Sequence, residues 1–178
     1  IAGAGVRLIG SGLSSLVSGL EENSAAWSTF EGNMKFLGKT PKQIANVESS
    51  LKSYAQRTVY SASDMASAYS QFAATGVSGE GKLVKGMGGL AAATDHPQQA
   101  TKTLLQQGVQ MVAKPMVPWG DFRLMLEQTP AGMAAVAKSM GMSLKDLIKN
   151  IQAGKVTSKY FYKAVNKAGN SKVFQGMA

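Results

Sequence analysis

His96 is the single histidine in a chain of 178 residues that contains no cysteine. Any site built on two imidazoles, a thiolate zinc ligand or a thiol nucleophile is thereby excluded. His96 precedes Pro97 at a predicted helix start, with Asp95 adjacent, and reads as a first-turn surface residue. The stretch Gly76-Val77-Ser78-Gly79-Glu80-Gly81-Lys82-Leu83 carries the glycine spacing of a phosphate-binding loop. It puts Leu83 where magnesium needs a Ser or Thr hydroxyl, and it follows a helix where that loop follows a parallel strand. A glycine helix stop followed by a new helix start accounts for it. Glycoside hydrolysis needs two opposed carboxylates in a cleft. Asp121 and Glu127 stand six residues apart with no sign of burial in the pattern, and structural use of both is expected. No G-x-S-x-G elbow is present. Neither a catalytic residue, a cofactor nor a metal is expected.

Charge is the one asymmetric feature. Nineteen Lys and Arg face ten Asp and Glu, a net +9. From Lys138 onward eight lysines (138, 145, 149, 155, 159, 163, 167 and 172) meet Asp146 alone, so the last 41 residues carry +7. Lys155, Lys159, Lys163 and Lys167 recur every fourth residue and form a candidate interaction stripe, with Phe161, Val165 and Ala168 roughly opposite. A solvated lysine face, an acidic protein partner and nucleic acid are all compatible with it. The stripe has no arginine and no accompanying nucleic-acid motif.

The elements that carry these residues are marked by helix punctuation. Thr40-Pro41-Lys42-Gln43 is a capping box with proline at the first helical position, followed by Ile44, Val47, Leu51 and Tyr54. Ser61 with Asp64 opens a helix bearing Met65, Tyr69 and Phe72, with Gly76 suited to its left-handed cap. Ser78 or Gly79 starts the next, holding Leu83, Val84, Met87, Leu90 and Ala91. Gly86, Gly88 and Gly89 lie inside it at roughly 1 kcal/mol each against alanine; they predict either a close helix–helix approach or a kink. Pro97 opens a helix with Leu104, Leu105 and Met111. Lys114-Pro115-Met116-Val117-Pro118 predicts a bend. Trp119, Phe122, Met125 and Leu126 form a short helix. Thr129-Pro130, Ser143 with Asp146, and Thr157 open three more, closed by Gly141, Gly154 and Gly169. Six of the ten methionines lie between Met111 and Met142 and suit an adaptable core or docking surface.

No period-2 run, sustained heptad or internal repeat is present. The expectation is an all-α, compact multi-helix bundle of eight or nine short helices with no sheet. At this length roughly 70% of the unfolded chain's surface can be buried in one core. Residues 1–22 read as an amphipathic Gly/Ser-rich helical arm, with Val6, Ile9, Leu13, Leu16, Val17 and Leu20 on one face. Glycines, serines and Arg7 leave it well short of a membrane span. Residues 23–178 read as the globular domain. Opening on Ile1, the chain is expected to be a segment of a longer one.

Several strings, taken in order from about residue 24 to 175, resemble the N-terminal domain of tape measure proteins of tailed bacteriophages and prophages. They are Tyr54-Ala55-Gln56-Arg57-Thr58 with Asp64-Met65, Phe72-Ala73-Ala74-Thr75-Gly76, Gly89-Leu90-Ala91, and Gln110-Met111-Val112-Ala113. Asp121 to Leu126, Gln128-Thr129-Pro130-Ala131-Gly132, and Leu144, Leu147, Gly154-Lys155-Val156-Thr157 and Phe161 complete the set. Lys114-Pro115-Met116-Val117-Pro118 departs from the pattern in having two prolines.

The resemblance implies a structural, non-enzymatic protein of the virion tail, found in the host cytoplasm during assembly. Family members set tail length and are linked to genome ejection. The implied partners are tail proteins (tube, tail-tip or assembly chaperones), with self-association or DNA as further ones. The alternatives are a basic helical module binding DNA or an acidic protein, and part of a tail-associated peptidoglycan hydrolase.

Overall fold

The computed structural model describes residues 25–75 and 80–178, and these contain ten helices. They are α1 (25–36), α2 (Pro41–Arg57), α3 (Ala62–Ala74), α4 (Glu80–Ala91), α5 (Pro97–Met111), α6 (Trp119–Gln128), α7 (Pro130–Ser139), α8 (Leu144–Gln152), α9 (Ser158–Gly169) and α10 (Lys172–Met177). No strand occurs among the described residues, so the all-α expectation holds. The expected arm and the Gly76 cap lie outside the described residues.

Local chemistry sets most boundaries. Thr40 Oγ1 accepts from Gln43 N at 3.1 Å while Thr40 N donates to Gln43 Oε1 at 2.9 Å, completing the capping box. Ser61, Thr129, Ser143 and Thr157 each accept from the backbone N–H three residues on. Gly141 and Gly154 reverse the chain after α7 and α8 with φ of 78° and 68°. Gly169 behaves differently from the expected stop: it is the last residue of α9, and Asn170 forms the cap at φ −91°. Two helices have no counterpart in the sequence reading. α1 lies where no start signal was recognised, and α10 is a six-residue turn with no buried residue.

The prolines bend the chain as expected, and the bend pairs with the α8–α9 turn. Val117 N donates to Val156 O at 2.9 Å and Ser158 N to Pro115 O at 2.9 Å, around a single antiparallel bridge between Met116 and Thr157.

At the centre is α4, which packs against α2, α3, α5, α7, α9 and α10. Leu83, Val84, Met87, Leu90 and Ala91 are all buried, and so are Gly86, Gly88 and Gly89. From Gly86 to Ala91 every residue of α4 is buried, while Glu80, Lys82 and Lys85 in its first half reach the surface. Here the glycines decide the earlier alternative in favour of close approach, because α4 is an unbroken helix. A Cβ at Gly89 would collide with Gly169 O, and one at Gly88 would lie 3.0 Å from Tyr54 Oη and from the Tyr60 ring. The propensity lost at each glycine is roughly 1 kcal/mol, and burying each large apolar neighbour returns about 1.5–3 kcal/mol.

A bare helix exposes its carbonyls, and the surrounding elements occupy them. The last four carbonyls of α4 have no partner within the helix. Gly88 O accepts from Tyr60 Oη, and Gly89 O from Ala92 N at 3.1 Å. Leu90 O accepts from Thr129 Oγ1 at 2.7 Å, and Ala91 O from Thr94 Oγ1 at 3.2 Å. Further back, Lys85 O accepts from Tyr54 Oη and from Gln175 Nε2, which also donates to Gly169 O at 2.8 Å. That amide ties α10 to the α4–α9 crossing.

Around α4 the core is aromatic and methionine-rich. Phe72, Tyr162, Phe161 and Phe122 form a chain of edge-on contacts with centroids 6.0–6.5 Å apart. Tyr162 Oη donates to Gly108 O at 2.6 Å. Met111, Met125, Met133 and Met140 are buried, so the methionine cluster serves chiefly as core.

Candidate interaction surface

α9 is amphipathic by position. Phe161, Tyr162, Ala164, Val165 and Ala168 are buried against the bundle, while Lys159, Lys163 and Lys167 are exposed. The three lysines recur at about 6 Å along the helix axis, and Tyr160 stands beside them at 48% exposure. Lys155 belongs to the turn before the Thr157 cap, not to the helix. The stripe read from the sequence is therefore three lysines on α9 with a fourth preceding it. Lysines at i, i+4 repel by about 0.2–0.5 kcal/mol per pair. Lys138, Lys145, Lys149 and Lys172 are exposed too, on α7, α8 and α10.

The ion pairs among the described residues lie elsewhere. Lys52 meets Glu48 at 3.5 Å, Lys114 meets Asp121 at 3.4 Å, and Arg123 meets Glu127 at 3.8 Å. No lysine from Lys138 onward takes part in one among the described residues.

The other chemistry-bearing residues are placed apart. His96 is exposed at the cap position of α5 and makes no side-chain capping bond. Residues 76–79 of the phosphate-loop spacing lie outside the described residues, and Glu80 to Leu83 form the first turn of α4. Asp121 is buried, 8% exposed, which the sequence pattern did not reveal. Its carboxylate faces Lys114 across the proline bend, while Glu127 is exposed on the same helix. Among the described residues no three His, Cys, Asp or Glu side chains come together as metal ligands.

One groove was not legible beforehand. Trp27, Ser28 and Glu31 of α1 face Glu48, Lys52 and Gln56 of α2 across an open space of about 680 Å³ that Tyr60 also lines. Burial raises the Glu48 carboxyl above its ordinary value and Glu31 raises it further, while Lys52 opposes both. The Lys52 ammonium also lies 4.9 Å from the Trp27 ring centroid. The 3–4 spacing of Trp27, Phe30 and Met34, all buried, was the available signal for α1. The approach of Glu31 to Glu48 had no signal at all.

The profile of the tape measure protein family matches residues 20–178. The chain belongs to the tape measure protein family. It is accordingly a structural protein of the phage tail. The match spans every described helix, including α1, and begins within the expected arm. Comparison with curated proteins and with solved structures gives no match. No helix among the described residues is long and apolar enough to cross a membrane.

Proposed function

We propose that this segment is a compact helical module at one end of a molecular ruler. On this reading it helps set tail length during assembly and takes part in genome ejection. The observation that carries the reading is the contrast between the family and the fold. A ruler measures as an extended helix, rising about 1.5 Å per residue. The longest helix with both ends described, α2, has 17 residues, and caps or glycines interrupt the chain at short intervals. Measurement therefore falls to other parts of the parent chain, and this module acts through protein contacts. Its partners are the tube, tail-tip or assembly proteins met in the host cytoplasm, with residues 1–22 as an arm appended to the domain.

An in-frame deletion of the segment from an intact prophage tests the reading. Tails of aberrant length, or particles that fail to eject their genome, are the expected result. Particles of normal length and infectivity would overturn it.

A further inference from the structure

We propose that the solvent face of α9 docks an acidic α-helix of a partner protein. Lys159, Lys163 and Lys167 stand in one row, backed by the buried residues Phe161, Val165 and Ala168. α9 itself has no Asp or Glu; it packs on α4, α7 and α10, and α3, α5 and α6 reach it through Phe72, Gly108 and Phe122. None of α5, α7 and α10 carries a carboxylate; those of α3 and α4 are Asp64 and Glu80 in their first turns, and those of α6, Asp121 and Glu127, pair with Lys114 and Arg123. Among the described residues the row makes no ion pair. A helix thus holds three like charges in register with no ion-pair partner among the described residues, and their summed field favours an approaching anion.

The geometry points to a helix over a nucleic acid. Charges four residues apart repeat about every 6 Å along the axis, and a facing helix with carboxylates at the same spacing presents that repeat in register. The half-exposed Tyr160 ring supplies an apolar seat beside the charges, as interface anchors do. Lysine contacts phosphate as a point charge, whereas oriented phosphate recognition adds arginine forks and helix N-termini. Residues 138–178 contain no arginine. The hydroxyls of Ser143, Thr157 and Ser171 each occupy one backbone N–H at the N-termini of α8, α9 and α10. This surface stands on its own geometry and does not depend on the role proposed in measuring length.

The test uses the whole 178-residue chain and fluorescence anisotropy with three probes. One is a helical peptide with Glu at every fourth position and Leu beside it, one is a shuffled peptide of the same composition, and one is a short DNA duplex. The ordered peptide is expected to bind about tenfold tighter than either other probe at equal salt. The triple variant K159Q/K163Q/K167Q is expected to weaken it about tenfold with an unchanged circular dichroism spectrum, while K35Q/K39Q/K42Q stays within about twofold. Y160A is expected to weaken binding without altering its salt dependence. Equal or tighter binding of DNA or of the shuffled peptide overturns the proposal. So does a folded triple variant of undiminished affinity, or the absence of peptide binding at low salt.

Discussion

Gly169 of α9 lies directly on the carbonyl of Gly86 of α4: a Cβ at Gly169 would collide with the Gly86 backbone. The approach is asymmetric. A Cβ at Gly86 would meet Asn170 Nδ2 and Val165 O at 3.1 Å, a tight contact that needs shifts of only a few tenths of an ångström.

The asymmetry predicts unequal effects of two chemically identical substitutions. G169A is expected to destabilise the fold by about 3 kcal/mol or more, because its Cβ would overlap the Gly86 backbone deeply. For G86A the overpacking is offset by about 1 kcal/mol of gained helix propensity, so a net change within about 1 kcal/mol is expected. Urea unfolding of both variants measures this. Equal losses would show that the α4–α9 crossing can slide apart.

Thr129 combines two duties at zero exposure. Its hydroxyl accepts from Gly132 N at 3.1 Å and donates to Leu90 O at 2.7 Å. T129V keeps the shape and removes both bonds, and a loss of about 2–3 kcal/mol is expected. T129S keeps the hydroxyl and is expected to lose about 1 kcal/mol, mostly a methyl group's packing. Thermal unfolding of the pair separates hydroxyl from volume.

The buried phenols make the fold sensitive to alkali. Burial pushes Tyr54 up to about 12, with the Gln175 hydrogen bond opposing. Burial also raises Tyr162, Tyr60 and Tyr69, and Asp121 adds to the effect at Tyr162. The folded state therefore holds these protons more tightly than the unfolded state, whose phenols titrate near 10.0. That stability is complete below pH 10 and is lost as the pH rises through the folded values. Lys85, lowered by its burial and by Arg57, works in the opposite direction. Comparison with Y54F isolates the phenol. The variant is expected to be about 1 kcal/mol less stable at neutral pH and to fall less steeply above pH 10. A parallel decline in the two proteins would argue against a buried Tyr54.

Glu48 behaves as a carboxyl whose protonated form the fold prefers, because of its burial and of Glu31. A raised folded value contributes stability below the ordinary 4.5 that disappears as the pH climbs above it. E48Q is expected to raise the Tm at pH 7 and to converge with the parent near about pH 4. A lower Tm at pH 7 would mean that the Lys52 pair outweighs the repulsion from Glu31.

How much of this was legible follows from the range of each interaction. Thr40, Ser61, Thr129, Ser143 and Thr157 announce their helices because a capping hydroxyl acts on a backbone N–H three residues away. Gly141 and Gly154 do so through a local conformation that side-chain-bearing residues rarely adopt. The sequence by itself therefore determined an all-α chain, most of its boundaries and the lysine face of α9. Gly169 looked like another stop and is instead a contact, since what it meets is Gly86, far away along the chain. Asp121 looked like a surface acid, and the proline bend with Lys114 buries it. The pairing of Glu31 with Glu48 depends on how α1 lies across α2. These were decided only by tertiary packing, because a side chain's burial and its charged neighbours depend on which distant elements share its space.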